Sequence, residues 1–147
     1  YQSDSNGDNW IDINDNGIDE PASLNVVEIV EHVWIEMSDG VRLSAKMWLP
    51  VYVNNQPAPA VLEIIPYRKR DSYAIRDHRN HAWIAKRGYA CIRPDMRGHG
   101  DSEGIMLDEY SQREQQDTIE VIQWLAQQPW CSGNVCRHRR IIYSSLA

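Results

Sequence analysis

The stretch 93–104, RPDMRGHGDSEG, sets Asp95, Arg97, Asp101 and Ser102 among three glycines, Gly98, Gly100 and Gly104. Carboxylates, a guanidinium and a hydroxyl at this spacing can tie down a glycine turn by hydrogen bonds, and Pro94 together with the glycines excludes a regular element. A short apolar run, 88–92, leads into the stretch, and a helical pattern begins near Ser111. This is a strand entering a structured loop, where enzymes built on parallel sheets place their sites. Taken alone, an RGxG turn is more often an ordinary connection than a site.

A second set of potential ligands lies at the N-terminus. Asp4-x-Asn6-x-Asp8 is followed by Asp12, and Asp12-x-Asn14-x-Asn16-Gly17 by Glu20, so the runs repeat at a spacing of eight residues. Alternate oxygen-bearing side chains on a sharply turning loop suit Ca²⁺, and the pattern resembles the calcium loops of EF-hand, dockerin and thrombospondin-type repeats. Neither run completes an EF-hand loop, whose bidentate Glu would fall at Asp15 or Ser23. A flexible acidic leader accounts for the same residues equally well. Calcium sites this incomplete would be weak and would suit a secreted or periplasmic protein.

The elements that must position these groups follow from periodicity. Residues 26–37 alternate His32, Trp34 and Glu36 with Val33, Ile35 and Met37; Ser38-Asp39-Gly40 is a hairpin turn; 41–49 alternates again and stops at Pro50. A polar loop, 51–59, precedes the nearly continuous apolar run 60–65, a strand buried on both faces that ends at Pro66. The basic cluster 67–71, YRKRD, reads as a solvated loop. A helix is expected over 77–87 with Gly88 at its C-terminus, then a strand over 88–92, giving a right-handed parallel βαβ unit. Ser111-x-x-Glu114 is a capping box. Behind it Ile119, Val121, Ile122, Leu125 and Ala126 form an apolar stripe, with Asp117 and Glu120 facing out, and a further strand should start near Asn134.

The chain of 147 residues is 42% hydrophobic and 24% charged, which supports one globular domain with a real core. Its net charge of −6 is concentrated in residues 1–20, which hold six acids and no Lys or Arg, and the remainder is balanced. No basic face points to nucleic acid, and no apolar stretch reaches the length of a membrane span. The chain begins at Tyr1, which fits a processed or partial product. Cys91 lies in an apolar run and is expected to be buried, and Cys131 and Cys136 would pair only across a turn. Three thiols make neither a disulfide framework nor a metal site.

The order VWIEMSDGVRLSAKMWLP, IIPYRKRD, GYACIRPDMRGHGDSEG, DEYSQREQQDTIEVIQWLAQQPWCSGNV resembles the N-terminal half of the catalytic domain of the cocaine esterase / X-prolyl dipeptidyl peptidase family, over residues 31–135. Those proteins are serine hydrolases of the α/β-hydrolase fold. The resemblance implies an incomplete fold of this kind: an N-terminal antiparallel β-hairpin, then βαβ units of a mainly parallel sheet. It also implies that Tyr67 lends its hydroxyl to the oxyanion hole. Asp95, Arg97, Gly98, Gly100 and Ser102 become structural support of the site, with Ser102 not the nucleophile. No cofactor is implied for catalysis. The substrate would be a small ester or amide or an X-Pro peptide, and the oligomeric state is left open.

After residue 135 the pattern departs from the family. Cys136 stands where a Gly is expected, Ile141 falls near the place of the nucleophilic Ser, and 137–140 are basic or imidazole residues ill suited to a central buried strand. Ser144 and Ser145 lack flanking glycines, and His78, His81, His99 and His138 offer no nucleophile–base pairing. The expectation is a chain divided into an acidic leader (1–25), the N-terminal half of a hydrolase domain (26–135) and a divergent tail (136–147) produced by frameshift or truncation, inactive by itself. The competing reading is an extracellular calcium-binding module with a remnant α/β domain.

Overall fold

The computed structural model describes residues 24–51, 56–106, 108 and 111–138. The N-terminal hairpin forms as its alternation predicts, from β1 (Val26–Glu36) and β2 (Arg42–Val51). Strand β2 runs through Pro50 instead of stopping there. Pro50 lies opposite Val27, beyond the part of β2 that pairs on its other side (Ala45 to Trp48), so its missing N–H interrupts no second ladder. Strand β3 (Ala58–Glu63) is followed by α1 (Ala74–Lys86), β4 (Ala90–Pro94), α2 (Gln112–Ala126) and β5 (Cys131–His138). The sheet order is β1-β2-β4-β3-β5, with β3 parallel to both β4 and β5 and β2 antiparallel to β1 and β4.

Side-chain alternation divides the core between the two faces of this sheet. Trp48, Val61 and Cys91 pack with Ala82, Ile84 and Ala85 of α1. Their chain neighbours Met47, Leu62 and Ile92 belong to the larger cluster with Val121 and Leu125 of α2. Both faces of β3 and β4 are therefore covered, which is why these strands read as apolar runs. Leu62 and Ile92 are fully buried, and each such side chain contributes about 1.5–3 kcal/mol. Burial pushes the Cys91 thiol up to about 12, so it behaves as a small apolar residue.

Several local expectations need correction. Helix α1 begins three residues before the expected 77, because its buried stripe is Asp77, His81 and Ala85 and the apolar Ile75 of its first turn faces solvent. Helix α2 is capped as expected, Ser111 Oγ accepting from the Glu114 amide at 3.2 Å. Asp117 does not face out: it is buried and holds two guanidinium groups, whereas Ile119, placed in the apolar stripe, is exposed. Glu120 is half-buried and accepts from the Ser38 amide (2.7 Å) and hydroxyl (2.9 Å). Strand β5 continues through Arg137 and His138 beside β3. Among the described residues β5 is an edge strand, and the exposed Arg137 meets solvent there instead of a core. Cys131 is buried and Cys136 exposed on this one strand, and both are free thiols.

Candidate active-site scaffold

The C-terminal ends of β3 and β4 carry two segments, 64–71 and 95–104, that the fold holds against each other. Gly98 and Gly100 adopt φ of +71° and +54°. A Cβ at Gly98 would lie 2.6 Å from the Met106 amide nitrogen, and one at Gly100 would overlap the Asp95 carboxylate. Glycine is thus required here by space as well as by backbone conformation. Asp95, 1% exposed, is the centre of the loop. Its Oδ1 accepts from the Lys69 amide (2.7 Å), and its Oδ2 accepts from the Lys69 ammonium (2.9 Å) and the Asp101 amide (3.0 Å). Ser102 Oγ donates to the Asp95 carbonyl (2.7 Å) and accepts from the Ser44 amide (2.9 Å), stitching the loop to β2.

Lys69 is buried, not solvated as the basic run implied. Its three ammonium hydrogens go to Asp95, to Asp101 Oδ2 (2.8 Å) and to Ser44 Oγ (2.8 Å). The Lys69 ammonium in turn holds the Asp101 carboxyl below its ordinary range. Arg97 reaches the other way. Its Nε and Nη2 each donate to Asp117 at 2.8 Å, and Nη1 meets Asp39 Oδ2 at 2.9 Å. These bonds raise the Arg97 pKa above its already high value and lower that of Asp39.

Tyr67 is half-buried, its ring stacked on Tyr73 with centroids 4.4 Å apart and planes 12° apart. Its carbonyl accepts from Arg93 Nη2. The fully buried Arg93 also donates to the Pro94 carbonyl at 2.8 Å, and its Nε lies 3.2 Å from Asp77 Oδ2. Beneath α1 the charges continue: Asp77 pairs with Arg76, Arg76 with Glu63 (2.9 Å), and Glu63 with His81 Nε2 (3.1 Å). Burial opposes ionisation of Glu63, but the His81 bond and the Arg76 and Arg93 charges outweigh it and hold its pKa below the ordinary value. Ligand atoms of Glu63, Asp77 and His81 lie within 4.8 Å of one another, a spacing a cation could use. The guanidinium groups of Arg76 and Arg93 already neutralise both carboxylates, so the set is a closed charge network without need of a cation.

Two serines of the described residues carry outward signs of a nucleophile, and neither is placed to act as one. Residues 100–104, GDSEG, satisfy the letters of G-x-S-x-G. That motif requires a sharp turn from strand directly into helix. Here β4 ends at Pro94 and α2 starts at Gln112, and the Ser102 hydroxyl is occupied by Asp95 and Ser44. Ser44 Oγ lies 2.8 Å from Lys69 Nζ and 3.0 Å from His32 Nδ1, the outline of a serine–base pair. Ser44 is 0% exposed, and all three Lys69 hydrogens are committed to acceptors, leaving no lone pair to take a proton. The structure thus brings together Tyr67, Asp95, Gly98, Gly100 and Ser102 with Lys69 and Arg93, and sends Arg97 toward α2. Asp4, Asn6, Asp8, Asp12, Asn14, Asn16 and Glu20, and the serines at 144 and 145, lie outside the described residues.

Lys69 and Arg93 were not among the expected site residues. Arg93 was detectable: a lone cation inside the run 90–94, ACIRP, must find a partner if the strand is central. Lys69 gave no such signal, since an exposed YRKRD loop is the commoner outcome of that composition.

Among the described residues, a mixed five-stranded sheet covered on both faces, with loops converging at the ends of β3 and β4, defines part of an α/β-hydrolase domain. The chain belongs to the X-Pro dipeptidyl-peptidase family (S15 family), which it matches over residues 39–137, more than half of its 147 residues. It is 31% identical over 109 residues to the cocaine esterase of Rhodococcus sp., a match covering 73% of this chain and 18% of the esterase. The chain thus spans less than a fifth of the length of this curated relative. Among solved structures it resembles a CocE/NonD family hydrolase from Staphylococcus aureus, with TM-score 0.64 and 23% identity, covering 76% of this chain and 23% of that one. An α-amino acid ester hydrolase superposes with TM-score 0.58 at 22% identity, covering 87% of this chain and 24% of that one. Among the described residues, no helix is long and apolar enough to cross a membrane.

Proposed function

We propose that this chain forms the N-terminal part of the catalytic domain of a serine hydrolase acting on acyl esters or amides, X-Pro peptides included, in which the Tyr67 phenol is one donor of the oxyanion hole. The observation that carries the reading is the state of Tyr67. It stands at the C-terminal end of β3, where an α/β-hydrolase assembles its site, with its carbonyl anchored and its ring stacked. Among the described residues no group hydrogen-bonds its hydroxyl.

In this mechanism a seryl oxygen attacks the substrate carbonyl, a histidine takes its proton, and the carbonyl oxygen becomes an oxyanion. The Tyr67 O–H and a backbone N–H donate to that oxyanion, and the histidine then returns the proton to the leaving alcohol or amine. The serine, histidine and acid come from parts of the hydrolase domain beyond residue 138, so residues 1–138 do not turn over substrate unaided.

The test combines a p-nitrophenyl acyl ester assay with a fluorophosphonate probe, on the chain alone and on the chain joined in trans to the remaining domain of a family member. The expected result is no turnover and no label alone, and both in the joined form. Tyr67→Phe in the joined form should lower kcat by two to three orders of magnitude, about 3–4 kcal/mol, with little change in KM. Full kcat in that variant, or a labelled Ser102 in the chain alone, overturns the reading.

A further inference from the structure

We propose that Arg93 is the positioning residue of Tyr67, acting through the Tyr67 carbonyl and itself oriented by Asp77; the catalytic part of this proposal rests on the oxyanion role of Tyr67. Between the end of β3 at Glu63 and the start of α1 at Ala74 the chain has no ladder to fix it. Two side chains from the end of β4 take that role. Arg93 donates to the carbonyl of residue 67, and Asp95 accepts from the amide and ammonium of residue 69. The second contact holds the loop to Lys69. Only the first acts on the residue that carries the phenol.

Arg93 lies two residues after Cys91 and therefore points to the α1 face of the sheet, where Asp77 meets its Nε at 3.2 Å. One guanidinium thus spans three groups: the Tyr67 carbonyl, the Pro94 carbonyl and the Asp77 carboxylate. Its planar fork fixes their mutual geometry in a way a single ammonium cannot. The same helix sets the ring. Tyr73 at the N-terminus of α1 stacks on Tyr67, and the Arg76 guanidinium lies 4.8 Å from the Tyr73 ring centroid. Arg76 in turn pairs with Asp77. Backbone and ring of Tyr67 are therefore both referred to the first turn of α1, and a displacement of that turn moves the phenol. A donor shifted by a fraction of an ångström no longer meets the developing oxyanion, so Arg93 affects kcat more than KM.

The experiment uses the chain labelled with [¹³Cζ]tyrosine, with the Tyr67 signal assigned by its loss in Tyr67→Phe. Arg93→Lys keeps the charge beside Asp77 but cannot span all three partners. The expected result is a shifted or broadened Tyr67 signal, with the Tyr89 signal unmoved at the other end of β4. If Arg93→Lys fails to fold, Asp77→Asn, which retains the guanidinium and weakens its orientation, is read for the same shift. A Tyr67 signal unchanged in the folded variant overturns the proposal. In the joined enzyme, Arg93→Lys should lower kcat on the order of tenfold to a hundredfold and cost nothing further in a Tyr67→Phe background. An equal loss in both backgrounds overturns positioning through Tyr67. If Tyr67→Phe is itself fully active while the NMR shift occurs, the oxyanion role has failed and the positioning by Arg93 stands.

Discussion

Two charge clusters, buried or half-buried except for Asp101 at the rim of the first, flank the Tyr67 segment, and they are built differently. On the loop side, Lys69, Asp95, Asp101, Ser44 and Ser102 use their hydrogen-bonding groups on one another and on the backbone. On the α1 side, the carboxylates of Glu63 and Asp77 face the guanidinium groups of Arg76 and Arg93, yet Asp77 Oδ2, His81 Nδ1 and Arg93 Nε lack a well-directed hydrogen bond. The nearby Trp48 Nε1 is likewise unpartnered, its ring 4.7 Å from that of His81. A fully bonded network resists deformation, because any movement leaves a buried group unpaired, whereas a partly bonded one can adjust at lower cost. The loop side is the fixed frame, and the α1 side is where the geometry of Tyr67 can be tuned.

The largest effect should come from breaking the fixed frame. Lys69→Met leaves the Asp95 carboxylate buried without its cation and should destabilise the chain by about 3–5 kcal/mol, read as a fall in the urea midpoint. Gly100→Ala should cost about 1–3 kcal/mol, since it places a methyl against the same carboxylate at a positive φ. If that variant matches wild type, the loop is not the rigid partner in the comparison. His81→Gln, which keeps a donor toward Glu63, should cost less than either, and a loss equal to that of Lys69→Met would erase the distinction.

Acid should sharpen the contrast. Glu63 and Asp101 both titrate below their ordinary values of 4.5 and 3.8 in the folded state. A depressed carboxylate contributes stability that is complete above its unfolded pKa and is lost as pH falls through the folded one. Stability should therefore be flat above about pH 5.5 and decline below about pH 4.5, with a shallower decline in Glu63→Gln. A midpoint that rises on acidification contradicts this. The smallest effect is expected for Tyr67→Phe, which keeps the stacked ring and should leave stability within about 0.5 kcal/mol while abolishing the proposed oxyanion bond.

The sequence made the frame legible and left the clusters hidden, for one physical reason. Alternation of side chains in 26–37 and 41–49, the Ser111 cap and the glycines of 98–104 are local signals, and the hairpin, α2 and the loop appear where they place them. The burial of Lys69 depends on Asp95, 26 residues away, and nothing within the run YRKRD distinguishes a lysine that meets two carboxylates from one that meets water. Asp117 was misplaced for the same reason, its partner Arg97 lying 20 residues upstream. The start of α1 was missed because its buried face is Asp77 and His81, polar residues that no hydrophobic periodicity registers.

Arg97 ties Asp39 in the hairpin turn to Asp117 on α2, while Glu120 one turn further along α2 holds Ser38. A hairpin at the edge of a sheet ordinarily opens by itself, ahead of the remainder of the molecule. Here its turn is riveted to the helix that covers the opposite end of the sheet, so the Ser38 amide, which donates to Glu120, should exchange with solvent more slowly than its exposure suggests and be released when α2 lets go. The hairpin and the parallel strands are in that sense one cooperative unit, and Arg97 is the side chain through which the loss of one becomes the loss of the other.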